Sequence, residues 1–347
     1  MKTTAAVLVE TGRPLEIVEL GIPALKPGQT IVEFAYSGVC HTQLLESRGY
    51  RGEDKFLPHL LGHEGAGTVV EVAPGVSKVA VGQQVIVSWI KGLGADVPGT
   101  VYDWDGRKVN AGAVTTFNRH AVISENRLTP LPAGLPLRPA ALIGCAIPTG
   151  FGAVMNVLRP QAGQSAAVFG TGGVGLCAVA AAAMSGCAPV IAIDLDETKL
   201  ALAKQYGATH VINAASGDVV AAVKAIVPGG VDLAVEATGL PAVMRDALTS
   251  VRAQGGAAVV VGNAHHGRML ELDPKEFNQG KRLLGTWGGD SVPDRDYPRY
   301  ARLMTSGRFD PEPLLAKSYS LGQANEALEA LETGGVARPL IDFLLSV

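Results

Sequence analysis

The chain has 347 residues, too many for one ordinary hydrophobic core, so two domains are expected. With 47% hydrophobic and 18% charged residues it reads as a globular protein without disordered tracts. A formal net charge of −3 and the lack of any basic run argue against nucleic acid as the main partner.

The opening Met1-Lys2-Thr3-Thr4-Ala5-Ala6-Val7-Leu8-Val9-Glu10 is too short in apolar length for a signal-peptide core, so the cytoplasm is the expected compartment. Up to residue 145, short alternating or β-branched runs at 5–10, 30–36, 67–72, 84–89 and 121–124 are separated by glycine and proline. That pattern predicts a partly closed, mostly antiparallel β domain. After Pro148 the rhythm changes. Strands are predicted at 165–170, 190–194, 210–213, 231–235 and 256–261, alternating with helices at 173–185, 197–206, 217–226 and 241–252. Such alternation implies βαβ units and a doubly wound parallel sheet with helices on both faces. The alanine-rich run 178–183 reads as a buried helix, since a membrane span needs about 20 apolar residues. The stretch 293–347, with a helix at 324–332, is placed back with the first domain. The expected division is 1–147 with 288–347, and 148–287 as an insertion.

Two constellations carry chemistry. Cys40, His63 and Cys145 offer two thiolates and one imidazole, set in Gly38-Val39-Cys40-His41-Thr42, Gly62-His63-Glu64-Gly65 and Gly144-Cys145. That donor set suits zinc, and three protein ligands leave the open position of a catalytic site. The second is Gly170-Thr171-Gly172-Gly173-Val174-Gly175, which ends a predicted strand and opens a helix. Gly170 permits the tight turn, Gly172 lets backbone approach a pyrophosphate, and Gly175 allows close helix–strand packing. The N–H groups of Gly173 and Val174 then face the phosphates at the helix start. Asp194, 19 residues after Gly175, reads as the acceptor of the adenosine ribose hydroxyls and favours NAD over NADP. The alternative is a solvated strand-end acid, which the intact glycine fingerprint disfavours. Lys199, one turn on, reads as a second ribose contact or an exposed lysine.

These segments, with Gly144-Cys145-Ala146-Ile147-Pro148-Thr149-Gly150-Phe151-Gly152-Ala153, match in order a family pattern. The chain resembles a zinc-dependent alcohol dehydrogenase of the medium-chain dehydrogenase/reductase superfamily over nearly its whole length. The resemblance implies a GroES-like, mostly-β catalytic domain and an inserted Rossmann domain. It also implies hydride exchange between a small alcohol or aldehyde and NAD, with no membrane partner and a homo-oligomer, dimer or tetramer. By the same likeness Cys40, His63 and Cys145 hold the catalytic zinc, and Glu64 is a nearby carboxylate able to approach it. Thr42 takes the proton of the substrate hydroxyl. His41 and Arg338 lie near the cofactor pyrophosphate, Thr149 lies near the nicotinamide, and Trp89 forms an aromatic wall of the substrate pocket. For His41, Arg338 and Trp89, surface charge or core packing is the alternative.

Three departures stand out. Gln43 replaces the acid that the family commonly places beside the zinc-bound histidine, a neighbour change worth roughly 10–100-fold in metal affinity or activity. Leu45 stands where many relatives end their proton relay with a histidine, which leaves His41 or water. Between Ser88 and His120 there is no cysteine, so no structural zinc lobe and one zinc per subunit are expected. The loop 91–113 is then held by ordinary packing, lining the substrate mouth or a subunit contact. His59, His120, His210, His265 and His266 need no special role, though the last two follow a strand at the sheet's ligand-binding edge. Cys177 and Cys187, about 15 Å apart along a helix, read as reduced thiols.

The segment Gly285-Thr286-Trp287-Gly288-Gly289-Asp290-Ser291-Val292-Pro293 resembles that of aryl and primary-alcohol members. Two competing readings are a glutathione-adduct formaldehyde dehydrogenase and a non-catalytic zinc- and NAD-binding protein. Polyol members of the superfamily often carry a carboxylate as the third zinc ligand, so Cys145, a thiolate there, argues against that branch.

Overall fold

A computed structural model describes residues 1–315 and 317–345. It forms two compact units, Met1–Cys145 with Val292–Val347, and Ala146–Ser291. The seams fall at 145/146 and 291/292 rather than at 147/148 and 287/288. Within the second unit Ser291 Oγ donates to the Pro148 carbonyl at 3.0 Å. A Cβ on Gly152 would overlap the Gly289 carbonyl, so these flanking residues pack together as part of that unit.

The first unit is built from two sheets. A closed barrel joins Lys2–Leu8, Glu16–Gly21, Val101–Trp104, Arg107–Asn110 and His59–Leu60. A second sheet runs Leu128–Pro130, Gln84–Ser88, Glu64–Val72, Gln29–Gly38, Leu340–Asp342 and Ser318–Tyr319, with His120–Ser124 also on Gln29–Gly38. Most pairings are antiparallel, and β-branched and aromatic residues line the core: Val32, Phe34, Val69, Val85, Val87 and Ile123 are buried together. Leu340–Asp342 pairs with Tyr36 to Gly38, which returns the C-terminal stretch to this unit.

The segment 91–113 is more regular than a loop. Val101–Trp104 and Arg107–Asn110 form a hairpin whose turn uses Asp105 and Gly106, both at positive φ. Tyr102 and Val109 are buried from it into the barrel core. The strand Glu16–Gly21, the helix His41–Ser47 and the helix Pro293–Thr305 also form where no element was expected.

The second unit holds a six-stranded parallel sheet in the order His210–Asn213, Val190–Asp194, Ala166–Phe169, Leu233–Glu236, Ala257–Val260, Arg282–Gly285. All five pairings are parallel, and the order reverses beside Ala166–Phe169, where such sheets bind dinucleotides. Helix Gly173–Met184 is apolar on every side and largely buried. Helix Glu197–Gln205 starts at Asp196, whose side chain accepts the Thr198 and Lys199 N–H groups. Among the described residues no single helix is long and apolar enough to cross a membrane.

Candidate metal centre and nucleotide turn

Three chain passages bring the donors together within the first unit. Cys40 is the N-cap of helix His41–Ser47, with Gln43 three residues on completing a capping box. Gln43 Oε1 accepts the Cys40 N–H at 2.9 Å, and its Nε2 lies 2.5 Å from His63 Nδ1. One amide therefore braces two donors. His63 follows Gly62, whose φ of +88° suits glycine and whose missing Cβ leaves room for the Thr116 side chain and Phe117. Cys145 follows the turn Ala141–Gly144, in which a Cβ on Gly144 would meet Glu64 Cβ at 2.7 Å. Ser88 Oγ donates to the Gly144 carbonyl at 2.7 Å and lies 2.6 Å from Tyr297 Oη, pinning that turn from the far end of the chain.

The resulting cluster fits a metal. One ligand atom each from Cys40, His63 and Cys145 lies within 4.8 Å of the others, and His63 Nε2 is 3.3 Å from Cys145 Sγ. Tetrahedral zinc with Zn–S of about 2.3 Å and Zn–N of about 2.0 Å separates its donors by about 3.5–3.8 Å. Both sulfurs are buried and neither is in a disulfide. A hydrogen bond from Cys145 holds the Cys40 thiol well below its ordinary range, while donating that bond, together with burial, pushes Cys145 well above it. Burial lowers His63, but the neighbouring Cys40 outweighs it and the imidazole is raised.

Glu64 and Arg338 form a buried ion pair beside these donors, with relative exposures of 0% and 3%. Burial raises the Glu64 carboxyl and the guanidinium pulls it back. Arg338, expected at the pyrophosphate, is thus enclosed against Glu64. A Cβ at Gly38 would strike the Glu64 carboxylate, which explains that glycine. A divalent cation among two thiolates, the Glu64 carboxylate and the Arg338 guanidinium would leave the cluster formally neutral, as a buried site requires.

Thr42 Oγ1 is 3.7 Å from Cys40 Sγ, and the Trp89 ring stands edge-on to the His63 ring at 6.3 Å between centroids. His41 is exposed at the start of its helix, and Leu45 is buried. A cavity of about 390 Å³ reaches Gln43 and His63, with Glu46, Asp54, Phe56 and His59 along its wall. Ser88 and Tyr297 were not legible as site residues, because nothing in their local pattern marks a partner 209 positions away.

In the second unit the glycine turn has the expected shape. Gly170 lies at φ +88°, and a Cβ on Gly175 would overlap the Gly170 carbonyl. A Cβ on Gly172 would meet nothing within 4 Å, so that face of the turn is open for a ligand to approach. Gly173 and Val174 begin helix Gly173–Met184. Asp194 ends its strand with both oxygens occupied: Oδ2 accepts Thr171 N–H at 2.6 Å and Thr171 Oγ1–H at 2.9 Å. Oδ1 accepts the Leu195 and Asp196 N–H groups. Lys199 sits in the first turn of helix Glu197–Gln205. Thr149, in helix Ala146–Gly152, has a buried hydroxyl without a hydrogen-bond partner among the described residues.

Comparison with known proteins identifies the family. Residues 26–133 match the alcohol dehydrogenase GroES-like domain, and residues 173–306 match the zinc-binding dehydrogenase family. An S-(hydroxymethyl)glutathione dehydrogenase of Synechocystis sp. is 32% identical, covering 99% of this chain and 100% of the relative. Among solved structures, an alcohol dehydrogenase zinc-binding domain protein from Burkholderia ambifaria is 34% identical with a TM-score of 0.91. The benzyl alcohol dehydrogenase of Acinetobacter calcoaceticus is 30% identical with a TM-score of 0.89. Each covers 99% of both chains.

Proposed function

The chain belongs to the zinc-dependent alcohol dehydrogenases of the medium-chain dehydrogenase/reductase superfamily, and we propose that it oxidises primary or aryl alcohols with NAD, using one zinc per subunit. The observation that carries this reading is the convergence of Cys40, His63 and Cys145 within 4.8 Å. The overall conversion is alcohol plus NAD+ to aldehyde or ketone, NADH and a proton.

Cys40, His63 and Cys145 would hold zinc, and Gly170, Gly172, Gly173, Val174 and Gly175 would cradle the cofactor phosphates. When bound, zinc supplies the Lewis acidity that lowers the pKa of a coordinated hydroxyl from about 16 toward neutrality. Thr42, beside Cys40, receives the substrate's hydroxyl proton and hands it on. Because Leu45 is apolar and buried, the proton leaves by exposed His41 or by water. Gln43 holds the His63 ring in place, and Glu64 with Arg338 balances the charge around the donors. Trp89 presents an apolar wall next to His63, which suits an aromatic or alkyl alcohol. The Thr149 hydroxyl is free to contact the nicotinamide.

The likeness to benzyl alcohol dehydrogenase supports aryl substrates. The curated relative's name keeps the glutathione adduct in view as a second reading. Against it, the cavity reaching His63 is lined by Glu46 and Asp54 and, among the described residues, by no lysine or arginine, which disfavours a net-anionic adduct with two carboxylates. The test is metal analysis of protein purified without added zinc, followed by NAD reduction across an alcohol panel. That panel includes benzyl alcohol and S-(hydroxymethyl)glutathione. Near one zinc per chain with fastest turnover on aryl alcohols is expected. Zinc without turnover on any alcohol or aldehyde would leave a binding protein, and a strict need for glutathione would favour the second reading.

A further inference from the structure

A carboxylate offers about four acceptor positions, and Asp194 has all four filled. Thr171 N–H and Oγ1–H take Oδ2, and the Leu195 and Asp196 N–H groups take Oδ1. The two hydroxyls of an adenosine ribose, arriving at this strand end as donors, find no vacant seat. Three of the four resident donors are backbone N–H groups of the glycine turn and of the turn after the strand. They cannot leave without unmaking those turns. The fourth is a hydroxyl on a rotatable bond, carried by a side chain that is fully buried.

We infer that Thr171 is a specificity-determining residue that competes with the ribose of the dinucleotide for Asp194 Oδ2. The inference rests on the NAD reading above. The Thr171 hydroxyl braces the glycine turn to strand Val190–Asp194 in the free protein, and its bond must be surrendered for a ribose hydroxyl to enter. Thr171 therefore moderates the affinity for the adenosine half of the cofactor, and it does so without touching the nicotinamide or the metal. A ligand phosphorylated at the 2′ position keeps its 3′ hydroxyl, but its phosphate is repelled by the Asp194 carboxylate and holds that hydroxyl away, so it gains nothing from Thr171 leaving.

The test is direct binding, measured by NADH fluorescence and by calorimetry with ADP-ribose and 2′-phospho-ADP-ribose, on metal-free and zinc-loaded protein alike. Thr171→Val keeps the backbone N–H bond and nearly the same volume while removing one donor. It should tighten NADH and ADP-ribose roughly three- to tenfold, the worth of one hydrogen bond, with 2′-phospho-ADP-ribose unchanged. Thr171→Ala, should the valine fold poorly, should show the same sign, and Thr171→Ser, which keeps the hydroxyl, should bind as the parent does. Equal or weaker ADP-ribose binding in both Thr171→Val and Thr171→Ala would overturn the inference while leaving the NAD reading intact. Failure of the parent protein to bind either NADH or ADP-ribose would overturn both.

Discussion

Arg338→Met strands a carboxylate. In the folded protein Glu64 is fully enclosed and Arg338 nearly so, with the guanidinium donating to Glu64 Oε1. Breaking such a pair by removing one partner destabilises a protein by about 3–5 kcal/mol, because the remaining charge is buried without compensation. The carboxyl can escape only by binding a proton. Its pKa is already raised by burial, and Arg338 is the first opposing influence, so in the variant it climbs further. A folded-state pKa above the unfolded value of about 4.3 means the native state holds the extra proton. The deficit should therefore be small near the unfolded pKa and grow as pH rises through the new folded value. Urea midpoints of metal-stripped protein at pH 5 and pH 8 measure it, and the double variant Glu64→Gln/Arg338→Met should recover most of the loss. A variant within about 1 kcal/mol of the parent, or a deficit indifferent to pH, would refute the reasoning.

Zinc loading should tighten as pH rises across neutrality. Cys145 is held as a thiol by its bond to Cys40 and by burial, and it must surrender its proton to the solvent on binding. Chelator competition at two pH values, with proton release followed by a dye, checks this; flat affinity would contradict it. Gln43→Ala removes the amide that joins the Cys40 N–H to His63, and zinc affinity should fall roughly 10–100-fold in the same competition. Glu125 accepts N–H bonds from Ser77, Lys78 and Ala95 at 2.5, 2.7 and 2.8 Å. Burial raises its carboxyl, but these bonds win and the pKa is lowered, so its stabilisation is present above the unfolded pKa and lost as pH falls through the folded one. Glu125→Gln should cost about 1–3 kcal/mol at pH 7 and flatten the acid limb of a stability profile, both visible by thermal melts.

The residues proposed to carry chemistry stand out without coordinates, because their signal is chemical type within a short motif. Two thiols and an imidazole next to glycines, and glycines between a strand and a helix, point to a metal and a dinucleotide before they are placed in space. The alternating half was legible in detail for a related reason. Strands Val190–Asp194 and His210–Asn213 have the bounds their apolar runs predict, as has helix Ala324–Glu332, since local periodicity reports burial directly. The hairpin Val101–Asn110 was missed although Asp105-Gly106 is a turn signal, because its strands are four residues long and expose Asp103, Arg107 and Lys108.

What only tertiary structure decided is which charge meets which. Arg338 finds Glu64 across 274 positions, and Tyr297 reaches Ser88 across 209. Asp194 turns out to be already engaged by the turn whose ligand it was expected to help hold. No local pattern encodes such pairings. They follow from how separate chain passages pack, where each buried polar group must find a partner among whatever the fold brings alongside it.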